Sequence, residues 1–408
     1  MTANRRHLLV LLAVVLLAAP AAAGGRIVAV GDVHGEFEGL TAILQEAGII
    51  DEELHWTGGE ATYLQMGDIY DRGLRVRESL DLIMRLQNEA RAAGGRVECI
   101  LGNHETMNLM GFYRDANPDV YASFADAKSE KRRRKLWNAV KRYRDLFGRP
   151  VDDAAEEAWR SEHPPGWIEY VESLMPKGRY GGWLRERPVG VLMGDILFIH
   201  GGVCPQVAGM SVDEINDTVA DELRVFDRVR LYLVGKSILP PTAGLEEVVQ
   251  GVRAVLFEAE KEDSTDLIRR HADQVRELVD IDSWLIMSPE GPLWFRGAVT
   301  WDEVERGAEM KALINGAGAR TMVVAHTPDK EGMIRTRFDG SVFLIDTGML
   351  STYYGGGRAS ALEIEDGVFT AIYLGGEREV LRSGKVLDTA AERSLPSAVA
   401  TETAAAAR

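Results

Sequence analysis

Arg26-Ile-Val-Ala-Val-Gly-Asp-Val-His-Gly35 reads as a buried strand running into a polar turn bracketed by glycines. Ile27 to Val30 supply the apolar run, Gly31 and Gly35 flank Asp32 and His34, and the spacing of Leu40, Ile43 and Leu44 predicts a helix behind the turn. The same text recurs at Thr62 to Met66, before Gly67-Asp-Ile-Tyr-Asp-Arg-Gly73 and a helix near 76–93. It recurs again at Val97 to Leu101, before Gly102-Asn-His-Glu105. Strand, loop and helix in this alternation predict an α/β sheet with strands buried on both faces. Polar loops at the carboxyl ends of such strands are where sites assemble.

Outward from this core the text changes. Between about 115 and 185 it is charged and helical, with Lys128-Ser-Glu-Lys-Arg-Arg-Arg-Lys135, Pro164-Pro165-Gly166 and Tyr180-Gly-Gly-Trp183, and is read as an inserted helical cap. The basic run has the chemistry to meet a phosphorylated partner or a membrane surface, but a charge run on a helix ordinarily marks a solvated face and is read as one. A second helical insertion, acidic overall, spans about 211 to 286. Strand text returns at Val189 to His200, with Gly194-Asp195 as a tight reversal, and at Thr321 to Ala325. Asp339-Gly340 and Asp366-Gly367 signal two further hairpins.

Composition bounds the function classes. A chain of 408 residues, 46% hydrophobic and 27% charged, is neither disordered nor a many-pass membrane protein. A net charge of −16 excludes a surface that grips nucleic acid through many phosphates, so any phosphate binding is local. Cys99 and Cys204 allow at most one disulfide and are expected as free buried thiols. Arg5, Arg6 and His7 precede the short apolar run Leu8 to Ala19, and Pro20-Ala-Ala-Ala23 offers a small-residue cleavage site. Residues 1–23 are therefore expected as a signal peptide, leaving an exported, periplasmic or secreted domain at 24–388 without a membrane span. Residues 389–408 are expected as a disordered tail.

Six side chains at strand-to-loop junctions are candidate metal ligands: Asp32, His34, Asp68, Asn103, His200 and His326. Asp32 and His34, two residues apart, face one side of an extended segment and offer one cation an oxygen and a nitrogen. Carboxylates and imidazoles without thiolate suit manganese, iron or zinc, and Asp68 is the natural bridge between two cations. Taken singly, each is an ordinary strand-end, turn or N-cap residue. Four of the eight histidines, His34, His104, His200 and His326, nevertheless fall in such loops, which outweighs coincidence.

Gly31-Asp-Val-His-Gly35, Gly67-Asp-Ile-Tyr-Asp-Arg-Gly73, Gly102-Asn-His-Glu105, His200-Gly-Gly202 and Ala325-His326 follow the order of motifs in the calcineurin-like metallophosphoesterases, which the chain resembles in their phosphoprotein phosphatase branch. The resemblance implies an α/β four-layer sandwich, two mixed β-sheets flanked by helices, around a two-metal centre. It assigns Asp32, His34 and Asp68 to one divalent ion and Asp68, Asn103, His200 and His326 to the other, manganese being favoured. Two such ions hold a hydroxide for in-line attack on phosphorus. The resemblance further implies His104 as the acid that protonates the leaving oxygen, Asp71 as the residue holding its ring, and Arg72 as a phosphate clamp. Arg296 is the candidate second clamp. Leu101, Leu293-Trp-Phe-Arg296, Thr327-Pro328 and Ile345-Asp-Thr-Gly-Met349 depart from the eukaryotic-type pattern and look like the Shewanella-like protein phosphatases. The expected substrate is a phosphorylated protein or small phosphomonoester. A nucleotide or dinucleoside polyphosphate hydrolase and a non-catalytic phosphate-binding module are the alternatives.

Overall fold

A computed structural model describes residues 25–383; the expected signal segment and tail lie outside them. Among the described residues, strands form two mixed sheets of six and five strands. The first contains the parallel strands β1 (Ile27–Val30), β2 (Thr62–Gln65) and β3 (Arg96–Cys99). The second is built from β4 (Gly190–Met193), β5 (Ile196–Ile199), β6 (Thr321–Val324), β7 (Arg335–Arg337) and β8 (Val342–Leu344), in the order β4-β5-β6-β8-β7. Its interior β5, β6 and β8 are parallel and its edges antiparallel. The last strands, β9 (Ser360–Glu365), β10 (Val368–Tyr373) and β11 (Glu377–Arg382), return to the first sheet as an antiparallel extension beside β1.

Alternation along each strand divides the core in two. Val28 and Val30 of β1 face helices, whereas Ala29 joins Leu64, Phe198, Val323, Phe343 and Phe369 between the sheets. Phe343 and Phe369 stack across that gap with ring centroids 4.5 Å apart. Gly194, Asp339-Gly340 and Asp366-Gly367 sit at the β4–β5, β7–β8 and β9–β10 reversals with positive φ, the backbone such turns need.

Helices α1 (Phe37–Glu46) and α2 (Val76–Ala92) follow β1 and β2; α2 buries Val76, Leu80, Ile83 and Leu86 on one stripe. Helix α3 (Asn103–Leu109) begins on the candidate ligand Asn103 and is buried throughout. Between it and β4 lie a 3₁₀ turn (Pro118–Phe124), α4 (Ser129–Leu146), α5 (Asp153–Glu162), α6 (Trp167–Leu174) and α7 (Arg179–Leu184). Between β5 and β6 lie α8 (Val212–Gly235), α9 (Leu245–Ala259), α10 (Asp266–Val275), α11 (Gly297–Thr300) and α12 (Glu303–Gly316); α13 (Ser351–Tyr354) follows β8. The capping box Ser211–Glu214 starts α8 and Asp152 caps α5.

The basic run is solvated only in part. Lys128, Lys131, Arg134 and Lys135 are exposed, but Arg132 pairs with Asp126 and Glu169, and Arg133 is buried against Glu130. Cys99 and Cys204 are buried and unbonded. No helix among the described residues is long and apolar enough to cross a membrane.

Candidate metal centre

The carboxyl ends of β1, β2, β3, β5 and β6 converge, and each delivers one of the predicted loops. The backbone there is strained: His34 (φ 48°), Asp68 (φ 47°), Asp71 (φ 73°), Arg72 (φ 65°) and His326 (φ 70°) all adopt left-handed conformations. Such residues cost about 1–3 kcal/mol each and persist only where neighbours hold them. Here the Val33 and His34 amides donate to Asp68 O at 3.0 and 2.9 Å, and the buried Glu105 carboxylate accepts from the amides of Asp68, Ile69 and Gly102 at 2.7–2.8 Å. Glu105 thus ties the second loop to the third. A Cβ on Gly102 would stand 2.1 Å from Asp68 Oδ1, and one on Gly73 2.2 Å from His34 O, which explains both glycines.

Asp68 is the meeting point of the side chains. Its Oδ2 lies 3.3 Å from His200 Nε2, 3.8 Å from His34 Nε2 and 3.9 Å from His104 Nε2. Asp32 Oδ2 is 3.7 Å from His34 Nε2, and Asn103 Oδ1 is 3.1 Å from His200 Nε2. Two groups able to hold an ion, His34–Asp68–His104 and Asp68–His200–His326, share Asp68. Backbone carbonyls set the rings: His34 Nδ1 donates to Tyr70 O at 2.7 Å, His200 Nδ1 to Met66 O at 2.7 Å, and His326 Nε2 to Trp294 O at 3.2 Å. A carbonyl only accepts, so His34 Nε2 and His326 Nδ1 keep their lone pairs, and His200 Nε2 has one whenever its ring is deprotonated.

The electrostatics fit a cation. Burial, aided by the Asp68 charge, pushes the Asp32 carboxyl up to about 7. Burial lowers the His34 imidazole to about 4. Burial also disfavours a charged His200, but the Asp68 carboxylate more than offsets this and raises it to about 10. His34 is held neutral, whereas His200 and Asp32 would give up their protons to a bound cation; the resulting carboxylates, imidazole nitrogens and amide oxygen form a donor set that divalent manganese, iron or zinc satisfies.

His104 belongs to the first of the two groups by distance, but unlike the other histidines of the site its second ring nitrogen meets a carboxylate. Its Nδ1 is 2.6 Å from Asp71 Oδ2, and Asn108 Nδ2 donates to both Asp71 oxygens at 2.9 and 3.0 Å. Burial works against the imidazolium, yet Asp68 and Asp71 raise the His104 pKa overall. Arg72 reaches between His34 and His104, with Nη1 on His34 Nε2 and on the Tyr354 hydroxyl and Nη2 3.1 Å from His104 Nε2. Arg296 is not drawn into this cluster: it is exposed, and its Nη1 donates to His326 O at 3.3 Å and Thr327 Oγ1 at 2.8 Å.

Four residues at the site carried no assigned role in the sequence reading: Glu105, Asn108, Asp346 and Tyr354. Glu105 and Asp346 lie inside quoted motifs, so a signal existed. Asp346 is buried behind Asp32, its Oδ1 accepts from Gly348 N, and burial with the Asp32 charge pushes its carboxyl well above the usual range. Nothing local marks Asn108 or Tyr354, which act through contacts made only in the fold.

The calcineurin-like phosphoesterase model matches residues 25–237. Shewanella-like protein phosphatase 1 of Plasmodium berghei is 25% identical over 354 residues, covering 86% of this chain and 74% of the relative. Shewanella-like protein phosphatase 2 of Arabidopsis thaliana is 30% identical over 203 residues, covering 48% and 50%. A cold-active protein-tyrosine phosphatase from a psychrophilic Shewanella superposes with a TM-score of 0.57 at 21% identity, covering 88% of this chain and 80% of that one. The chain belongs to the calcineurin-like phosphoesterase family and is a metal-dependent phosphatase, similar to the Shewanella-like protein phosphatases.

Proposed function

We propose that the chain is an exported, binuclear phosphomonoesterase acting on phosphoproteins. The observation that carries this reading is Asp68, whose carboxylate is shared by two groups of side chains able to hold an ion, His34–Asp68–His104 and Asp68–His200–His326. Asp32, His34 and Asp68 would hold one divalent ion and Asp68, Asn103, His200 and His326 the other, manganese being favoured. When bound, the two ions supply an activated water and neutralise charge on the phosphoryl oxygens. Arg72, fixed by Tyr354, offers paired donors to those oxygens. His104, with its raised pKa, keeps a proton for the departing oxygen, and Asp71 orients the ring. Arg296 closes the rim as a second donor to phosphate. Export rests on the segment at 1–23.

Metal analysis of the purified chain, followed by assay with manganese against p-nitrophenyl phosphate, phosphotyrosine and phosphoserine peptides, a bis-substituted diester and diadenosine polyphosphate, tests the reading. Two equivalents of metal and preference for monoesters are expected. Preference for the dinucleotide would transfer the chain to the polyphosphate hydrolases. Phosphate binding without metal or turnover would leave a binding module. N-terminal sequencing of exported protein should begin at Gly24.

A further inference from the structure

Helix α4 divides its cations by direction. Those turned inward or sideways are held: Arg132 pairs with Asp126 and Glu169, Arg133 with Glu130 and Lys141 with Glu156, while Arg144 donates to Pro150 O at 2.7 Å. Glu130 itself is taken by Arg133 and by Arg160 of α5. Lys128, Lys131, Arg134, Lys135 and Arg142 are all exposed, and among the described residues none of them forms a side-chain hydrogen bond or ion pair. At 100° per residue these five fall within about 120° of one face, opposite the buried Leu136, Trp137, Val140 and Tyr143. They span about 21 Å of helix. One acid, Asp145, lies beyond the C-terminal end of the row.

Leaving five like charges unpaired on one face is unfavourable, and in a chain of net charge −16 acids to pair them are abundant. The helix is also close to the chemistry. Ser129 and Arg132 hold Glu169 on α6, whose next residue, Tyr170, donates to Asn108 Oδ1 at 2.5 Å, and Asn108 holds Asp71.

We infer that the outward face of α4 is a docking strip for an acidic, extended segment of the polypeptide substrate. A strand rises about 3.3 Å per residue, so roughly six residues of such a segment match the row. A bilayer fits less well, because the apolar face an interfacial helix would insert is already buried in the cap. The inference rests on the phosphoprotein reading above.

The test compares a phosphoserine peptide carrying a glutamate tract of roughly six residues, joined by a flexible linker, with its glutamine counterpart. For the intact protein the KM should be about fivefold or more lower for the acidic peptide, and the difference should vanish at high salt. The quadruple variant K131E/R134E/K135E/R142E should lose or reverse the preference while kcat and KM for p-nitrophenyl phosphate stay unchanged. The milder K131Q/R134Q/K135Q/R142Q should fall between, which guards against misfolding. An unchanged preference in the quadruple variant, or none in the intact protein, overturns the inference.

Fluorescence anisotropy with labelled polyglutamate separates the two readings. Binding lost in the quadruple variant, with no phosphopeptide turned over, would sink the phosphoprotein reading and leave the strip standing. Variant-sensitive sedimentation with phosphatidylserine-rich vesicles, without polyglutamate binding, would overturn the strip in favour of a lipid surface.

Discussion

Asp68 and His104 lie within 4 Å of each other yet take different parts, and substitution separates them. Asp68→Asn keeps the shape but halves the charge-bearing oxygens shared by both ligand groups. Losing a partner behind a ligand costs 10–100-fold, so losing the shared ligand should lower turnover by at least about a hundredfold. Bound metal should fall with it, and two equivalents with near-normal turnover would refute the bridge. His104→Asn should instead retain both metals and lower turnover on a phosphoserine peptide by about a hundredfold or more. p-Nitrophenyl phosphate, whose phenolate leaves without a proton, should suffer much less; equal losses with loss of metal would make His104 a ligand. The candidate ligands were legible because each closes a short apolar run beside small residues. Asn108 and Tyr354 were not, because their partners lie 37 and 282 residues away in sequence.

At the scale of elements, strands and reversals were readable from short apolar runs bounded by polar, glycine-flanked turns and from Asp-Gly pairs, and α2 ends within a residue of its expected end at 93. The individual cap helices were not readable, since they pack through aromatic rings on distant partners, Trp137 of α4 on Trp159 of α5, and Tyr170 of α6 and Tyr180 of α7 on Phe124, rather than against a sheet. One such packing has a pH signature. His163 stacks on Trp159 at 4.8 Å and meets Trp167 edge-on at 4.2 Å, and burial lowers its pKa below 6.5. The unfolded chain, with His163 near 6.5, binds more protons below that pH than the folded chain does. Stability attributable to this residue is therefore whole above about 6.5 and falls as the pH drops through it. His163→Phe keeps the ring stack and loses the Nδ1 bond to Trp159 O, a cost of about 1 kcal/mol at neutral pH. Its Tm should decline less than the parent's between about pH 7 and pH 5.5. Parallel declines would mean His163 does not titrate in that window.

For the molecule as a whole, the cap is joined to the chemistry through Tyr170. Its ring is buried among Tyr70, Tyr113, Tyr121 and Phe124, and its hydroxyl donates to Asn108 Oδ1. That bond fixes which way the Asn108 amide points, so that Nδ2 faces Asp71, and Asp71 in turn holds His104. Tyr170→Phe preserves the packing and leaves Asn108 Oδ1 buried without its donor, which costs about 1–3 kcal/mol and should lower Tm. A structural change alone would weaken all substrates alike. If the cap positions the acid, kcat on the phosphoserine peptide should fall several-fold more than kcat on p-nitrophenyl phosphate, with both metals retained. The ratio of the two losses should follow that of His104→Asn in direction. In the double variant Tyr170→Phe/His104→Asn, the second substitution should add almost nothing on the peptide, because residues acting through one group are not additive. Full additivity would show that Tyr170 stabilises the cap without reaching the leaving oxygen.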